Sequence, residues 1–231
     1  MDTIHLQCSK IDWDKFFSLV SSMSLFKNEK IQISYFENWK SLFKKYDAYS
    51  FVLPNACIQN YPIPFSLKIY NNPPVHFDAA IHIPNLIKSL AQENEPPIRL
   101  QSKLLGTAID YSVDVHYTSA SSEPLIIVKD SFNERLILID GNHRAKYIKN
   151  HNLEFFHAYI LKPHFFIDNP RLFIRAFDYC LFHFWFDLQF FLRLQPSQTF
   201  FSTLFSFYEK TSVKKYSCYP HVKAALDSLL D

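Results

Sequence analysis

The chain has 231 residues, 48% of them hydrophobic and 20% charged, with a formal net charge of +2. Those values exclude an intrinsically disordered chain and leave room for one sizeable domain, or a core domain with appended helices. The near-neutral balance also excludes a polycation that grips nucleic acid over its whole surface, so any nucleic-acid role needs a local basic patch.

At the N-terminus Asp2, Asp12 and Asp14 interrupt any apolar stretch, so no secretory signal is expected and the protein is read as cytoplasmic. The four cysteines, Cys8, Cys57, Cys180 and Cys218, are widely spaced and form no Cys-x-x-Cys pair, which suits reduced thiols. The first fifty residues read as helical. Trp13, Phe16, Phe17 and Val20 share one face behind Asp12 as N-cap, and Trp39, Leu42, Phe43 and Tyr46 repeat the pattern in "ENWKSLFKKY". From about 54 to 98 eight prolines (54, 62, 64, 73, 74, 84, 96 and 97) predict irregular structure, with one short helix at "PNLIKSLAQEN".

Strand signals begin near 109. "YSVDVHY" alternates, "PLIIV" and "RLILI" are short apolar runs, and the "KDSFNE" between the last two predicts a hairpin turn. A short helix follows through Ala145, Tyr147 and Ile148, then the strand-like "FFHAYIL". From Pro170 a long aromatic run carries Asp178 and Asp187 in its interior, which argues for a buried helix and against a membrane span. A last helix is expected in "YPHVKAALDSLL". The chain is therefore read as an α+β protein, a small mixed sheet flanked by aromatic-rich helices. Residues 1–108 form a helical and proline-rich region, 109–162 the core, and 163–231 a C-terminal helical region. The many aromatics leave room for a homo-oligomeric interface.

One stretch concentrates chemistry. Asp140-Gly141-Asn142-His143-Arg144 stands between a strand and a helix and holds one of only two glycines. Glycine suits a sharp turn or the close approach of a ligand. The N–H groups that open a helix favour an anion, His143 can donate to a phosphate oxygen, and Arg144 can bind one with two parallel hydrogen bonds. The same residues also suit an ordinary turn in which Asp140 pairs with Arg144 or caps the helix. His151, His157 and His164 lack zinc-ligand spacing, and no phosphate-binding Gly-Lys-Ser/Thr loop or nucleophile elbow is present.

Residues 109–162 resemble the ParB/sulfiredoxin-like superfamily, in which a "Pro-Ile-x-Val" strand leads through a hairpin to "Ile-Asp-Gly-x-His-Arg". Here those pieces are Pro124 to Val128, Ile139 to Arg144, and the strand from Phe155 to Leu161. The resemblance implies a nucleotide site at Gly141, Asn142, His143 and Arg144, filled by a nucleoside di- or triphosphate such as ATP, ADP or CTP with magnesium. It implies phosphoryl transfer to a small-molecule or protein acceptor, or nucleotide hydrolysis, by a kinase or NTPase. Asp140, His143 and Glu123 are then the candidate catalytic groups, with Asp140 the candidate metal ligand; Asp140 holding Arg144, and a solvated Glu123, are the alternatives.

The chain departs from the pattern in four places. Tyr147 stands where the superfamily has a small residue, and Asn142 occupies the position of sulfiredoxin's cysteine, which disfavours sulfinic acid reduction. No Asn-x-x-Arg box precedes the core and no helix-turn-helix follows, which disfavours chromosome partition and a DNA partner. The runner-up is a nucleotide-gated DNA- or protein-binding module with negligible turnover.

Overall fold

A computed structural model describes residues 12–51, 60–67, 75–93, 95–111, 118–130, 135–194 and 202–229. It is an α+β protein that divides into two units. One comprises Met1–Cys57, Pro64–Ala80 and Phe173–Asp231, the other Ile58–Ile63 and Ile81–Leu172.

The first unit is mainly helical, with α1 (Trp13–Ser21), α2 (Glu29–Tyr46), α5 (Ala176–Arg193), α6 (Ser202–Tyr216) and α7 (Tyr219–Asp227). α2 starts earlier than its aromatic stretch suggests because Asn28 caps it, accepting from the amides of Lys30 and Ile31. Glu209 on α6 accepts from the amides of Lys27 and Asn28 at 2.6 and 3.0 Å, which fixes the entry to α2. α5 is buried almost all round, as its composition demands. Its Phe184 sits among the rings of Phe16, Phe17, Tyr35, Phe36, Trp39 and Phe43 at centroid distances of 5.3 to 6.5 Å.

Both interior acids of α5 are satisfied. Asp178 takes Arg175's guanidinium and backbone amide at the helix start. Asp187 accepts from Tyr35 Oη at 3.3 Å, Ser217 Oγ at 2.5 Å and the Cys218 amide at 2.7 Å. Burial pushes the Asp187 carboxyl up to about 6 even though these hydrogen bonds favour the ionised form. Among the described residues no helix is long and apolar enough to cross a membrane.

Two strands run through the segment expected to be irregular. β1 (Asn60–Leu67) and β2 (Val75–His82) form a two-stranded sheet. Pro62 and Pro64 lie within β1, and the reason they are tolerated is that both strands of such a sheet are edges, with positions where a missing N–H costs nothing. α3 (Ile83–Glu93) follows, with Pro84 in its first turn.

The second unit is organised by a five-stranded sheet. Its strands are β3 (Ile98–Gln101), β4 (Ile109–Asp110), β5 (Leu125–Asp130), β6 (Arg135–Asp140) and β7 (Phe155–Leu161), in the order β3-β7-β5-β6-β4. β5 pairs antiparallel with β6 and parallel with β7; β3 is antiparallel to β7 and β4 parallel to β6. The hairpin read from "PLIIV" and "RLILI" is present as β5 and β6. The "YSVDVHY" strand and the hairpin turn fall mostly outside the described residues. β3 lies before residue 109 and was not read as a strand; its four residues follow Pro96 and Pro97 and gain their regularity from pairing with β7. One face of the sheet is covered by α4 (Asn142–Asn150), whose Ala145 and Ile148 join Leu125, Ile127, Leu138, Phe156 and Ala158 in one apolar cluster.

Candidate functional site

The Asp140 to Arg144 turn sits at the middle of the sheet, where β6 ends beside the start of β5. Asp140 pairs in register with Ile126 and Leu138 with Ile127, so Ile139 is an extra residue on β6 that bends this strand just before the turn. Gly141 is the N-cap of α4 with φ +102° and ψ +22°, and it makes no side-chain cap. The conformation is open to glycine and strained for any other residue. Space imposes the same choice. A Cβ on Gly141 would lie under 3.0 Å from Leu125 Cδ2 and 3.1 Å from both Nε and one terminal nitrogen of Arg144. The opening of α4 is thus pressed onto the sheet, and its first intrahelical bond runs from the Ala145 amide to the Gly141 carbonyl at 2.8 Å.

Arg144 does not extend into solvent. Its guanidinium donates to Asp140 Oδ2, to the Pro124 carbonyl at 3.2 Å and to Glu123 Oε2 at 3.3 Å. The side chains of Arg144 and Asp140 are 10% and 13% exposed, whereas that of Glu123 is 77% exposed. Arg144 therefore ties three separate pieces together: the end of β6, the approach to β5 and the first turn of α4. The Asp140–Arg144 pairing weighed from the sequence is the one the structure contains. Removing Arg144 would leave a nearly buried carboxylate without its cation.

The structure brings Asp140, Gly141, Arg144 and Glu123 together at one turn. Asn142 and His143 follow on the first turn of α4, both half-buried. The His143 carbonyl accepts from the Ser119 amide at 3.2 Å, so the segment 118–124 lies against the first turn of α4. Within that segment Ser119 Oγ accepts from the Ser121 amide at 3.4 Å, and Ser121 Oγ accepts from the Glu123 amide at 3.2 Å. These serine turns position Glu123 and were missed in the sequence. The run "SASSEP" just ahead of a strand was the available signal.

Electrostatically the turn holds one guanidinium against two carboxylates, with the positive end of the α4 dipole beside them. An added anion must therefore displace Glu123 from Arg144, or arrive with a cation of its own. Among the described residues no three His, Cys, Asp or Glu side chains gather where they could hold a metal ion by themselves. Two carboxylates, however, match the protein's share of a magnesium ion whose other ligands are phosphate oxygens and water. No family model, curated protein or solved structure matches the chain.

Proposed function

We propose that the chain is a cytoplasmic nucleotide-dependent enzyme of the ParB/sulfiredoxin type, a phosphotransferase or nucleotide hydrolase that holds ATP, ADP or CTP against Gly141, Asn142, His143 and Arg144. The observation that carries this reading is the left-handed Gly141, which joins a central strand to a helix and presents the helix's first turn with no capping side chain of its own. His143 donates to a phosphate oxygen. Arg144 stays anchored to Asp140 and turns the nitrogen that now meets Glu123 toward a second phosphate oxygen. Glu123, exposed and free to swing, serves as general base toward an acceptor hydroxyl or water. Magnesium, when bound, would offset phosphate charge, and Asp140 would hold it.

A second reading is favoured by the guanidinium itself, whose three protein partners make Arg144 a strap and the turn a purely structural device. A thermal-shift series separates the two. ATP, ADP, CTP, GTP and UTP are tested with and without Mg²⁺ on wild type and on His143→Ala. A nucleotide that binds only the folded state stabilises it by about 2.7 kcal/mol at a hundredfold excess over Kd. The enzyme reading expects such a shift for one nucleotide in wild type and its loss in the variant. No shift with any nucleotide at millimolar concentration leaves the structural strap.

A further inference from the structure

The far end of α4 carries a feature that the nucleotide reading does not use. An open cleft of about 390 Å³ is lined by Gln101, Ser102, Lys103, Ile148, Lys149, Asn152, Leu153 and Glu154. Its shape is set by two local devices. α4 ends in a Schellman motif, with Asn152 at φ +51°, the Asn152 amide donating to the Lys149 carbonyl at 3.2 Å and the Leu153 amide to the Ile148 carbonyl at 3.1 Å. Opposite, the Ser102 amide donates to the Glu154 carbonyl at 3.0 Å, which holds the short 3-10 turn Ser102–Leu104 beside the helix end. The carbonyls of this helix end are thereby largely consumed, and side chains decide what the cleft accepts.

Those side chains are mostly donors. Lys103 and Lys149 bring two ammonium groups against the single carboxylate of Glu154, and Gln101 and Asn152 bring amides. Ile148 and Leu153, the pair that commonly touches in a Schellman motif, supply an apolar part. Ser102 adds an independent sign of a ligand. The residue is only 8% exposed, and among the described residues its Oγ has no hydrogen-bond partner. A buried hydroxyl left so costs free energy that a bound polar group recovers.

We infer that this cleft binds a small organic monoanion, a carboxylate carrying a short apolar tail. The headgroup meets Lys103 and Lys149, Ser102 Oγ joins them once its side chain turns out of its enclosed position, and the tail lies over Ile148 and Leu153. Glu154 offsets one of the two lysines, so the lining suits one negative charge and disfavours the two of a phosphate. The cleft lies about 12 Å along α4 from Gly141, at 1.5 Å per residue, too far for a group held there to meet a phosphate at the turn. It is a separate site and stands whether or not nucleotide binds.

The test titrates the ¹⁵N-labelled full chain with acetate, butyrate and hexanoate, and with inorganic phosphate for comparison, at constant ionic strength. The expected result is saturable movement of the amide signals of Gln101 to Lys103 and of Lys149 to Glu154. Affinity should rise about three- to fourfold per methylene as the tail covers Ile148 and Leu153. The Lys103→Gln, Lys149→Gln variant should bind hexanoate at least about tenfold more weakly while keeping the wild-type spectrum elsewhere. Equal affinity across the series, phosphate binding as tightly as hexanoate, or an unchanged affinity in the double variant overturns the inference. Ser102→Ala supplies a further arm: weaker carboxylate binding supports it, and undiminished binding shows that a water alone serves the hydroxyl and overturns the assignment of Ser102.

Discussion

Replacing Gly141 by alanine adds one methyl group and tests two separate physical effects. The first is backbone strain. At φ +102° an L-residue lies outside even the small left-handed region, which costs about 1–3 kcal/mol. The second is overlap. Carbon atoms pack at about 3.5–4.0 Å, whereas the new Cβ would come within 3.0 Å of Leu125 Cδ2, so either Leu125 leaves its rotamer or the strand moves, at about 1–3 kcal/mol more. Gly141→Ala is therefore expected to lose about 2–6 kcal/mol in urea unfolding followed by circular dichroism.

Gly106→Ala is the internal control. Its φ is +80°, but the nearest atom to its Cβ is Tyr111 Cε1 at 3.6 Å, an ordinary contact, so only the backbone part applies. The overlap part is isolated by a double-mutant cycle with Leu125→Ala, which removes the offending methyl. In that background the Gly141 substitution should cost its backbone part and the 3.1 Å contacts with Arg144 but no longer the overlap with Leu125, a coupling of at least about 1 kcal/mol. A loss below about 1 kcal/mol, or strict additivity with Leu125→Ala, would refute the packing argument.

Other perturbations follow from the same geometry. Phe184→Ala empties the centre of six surrounding rings and should cost about 3–5 kcal/mol by chemical denaturation, and Phe184→Leu markedly less. Arg144→Ala should cost about 3 kcal/mol by stranding Asp140, and the Asp140→Ala, Arg144→Ala double variant should lose less than the sum of the singles. Asp187 has its folded pKa raised to about 6 from 3.8, so between those values the folded state binds more protons than the unfolded state. Stability should accordingly fall by about 2 kcal/mol as pH rises from 4 to 6, and Asp187→Asn should flatten that slope in denaturation curves taken at half-unit steps. An unchanged slope in the Asn variant would assign the pH dependence to other groups.

How much of this was legible beforehand differs by element. The strands at Leu125, Arg135 and Phe155, the helix between the last two and the buried α5 all announce themselves by local pattern, because a short apolar run between turn formers or an unbroken aromatic run has few other uses. β1 and β2 did not. Proline normally argues against a strand, and only the pairing of two edge strands, a non-local fact, removes the objection. β3 is legible only through β7, whose partner it becomes.

The site divides in the same way. Asp140 through Arg144 was readable because its parts are adjacent in sequence. Glu123 was placed at the site only through the resemblance, and Ser119 was not placed there at all: both meet α4 from more than twenty residues upstream, across a hairpin whose register is shifted at Ile126, so their contact depends on the assembled sheet.

The scarcity of glycine is the feature that local reading and assembled structure explain together. Among the described residues the backbone enters positive φ at Gly106, Gly141 and Asn152, all in the unit built on the sheet. The last two bracket α4. Gly141 starts the helix in a conformation that excludes any other side chain, and Asn152 stops it through two hydrogen bonds back to Ile148 and Lys149. Between these fixed ends Ala145 and Ile148 are packed on the sheet, which leaves the helix no freedom to slide or lengthen. α4 is consequently a strut of set length, with the turn at its N-terminal end and the lysine-lined cleft at its C-terminal end. Each end is shaped by a residue of positive φ, a conformation that among the described residues recurs only at Gly106.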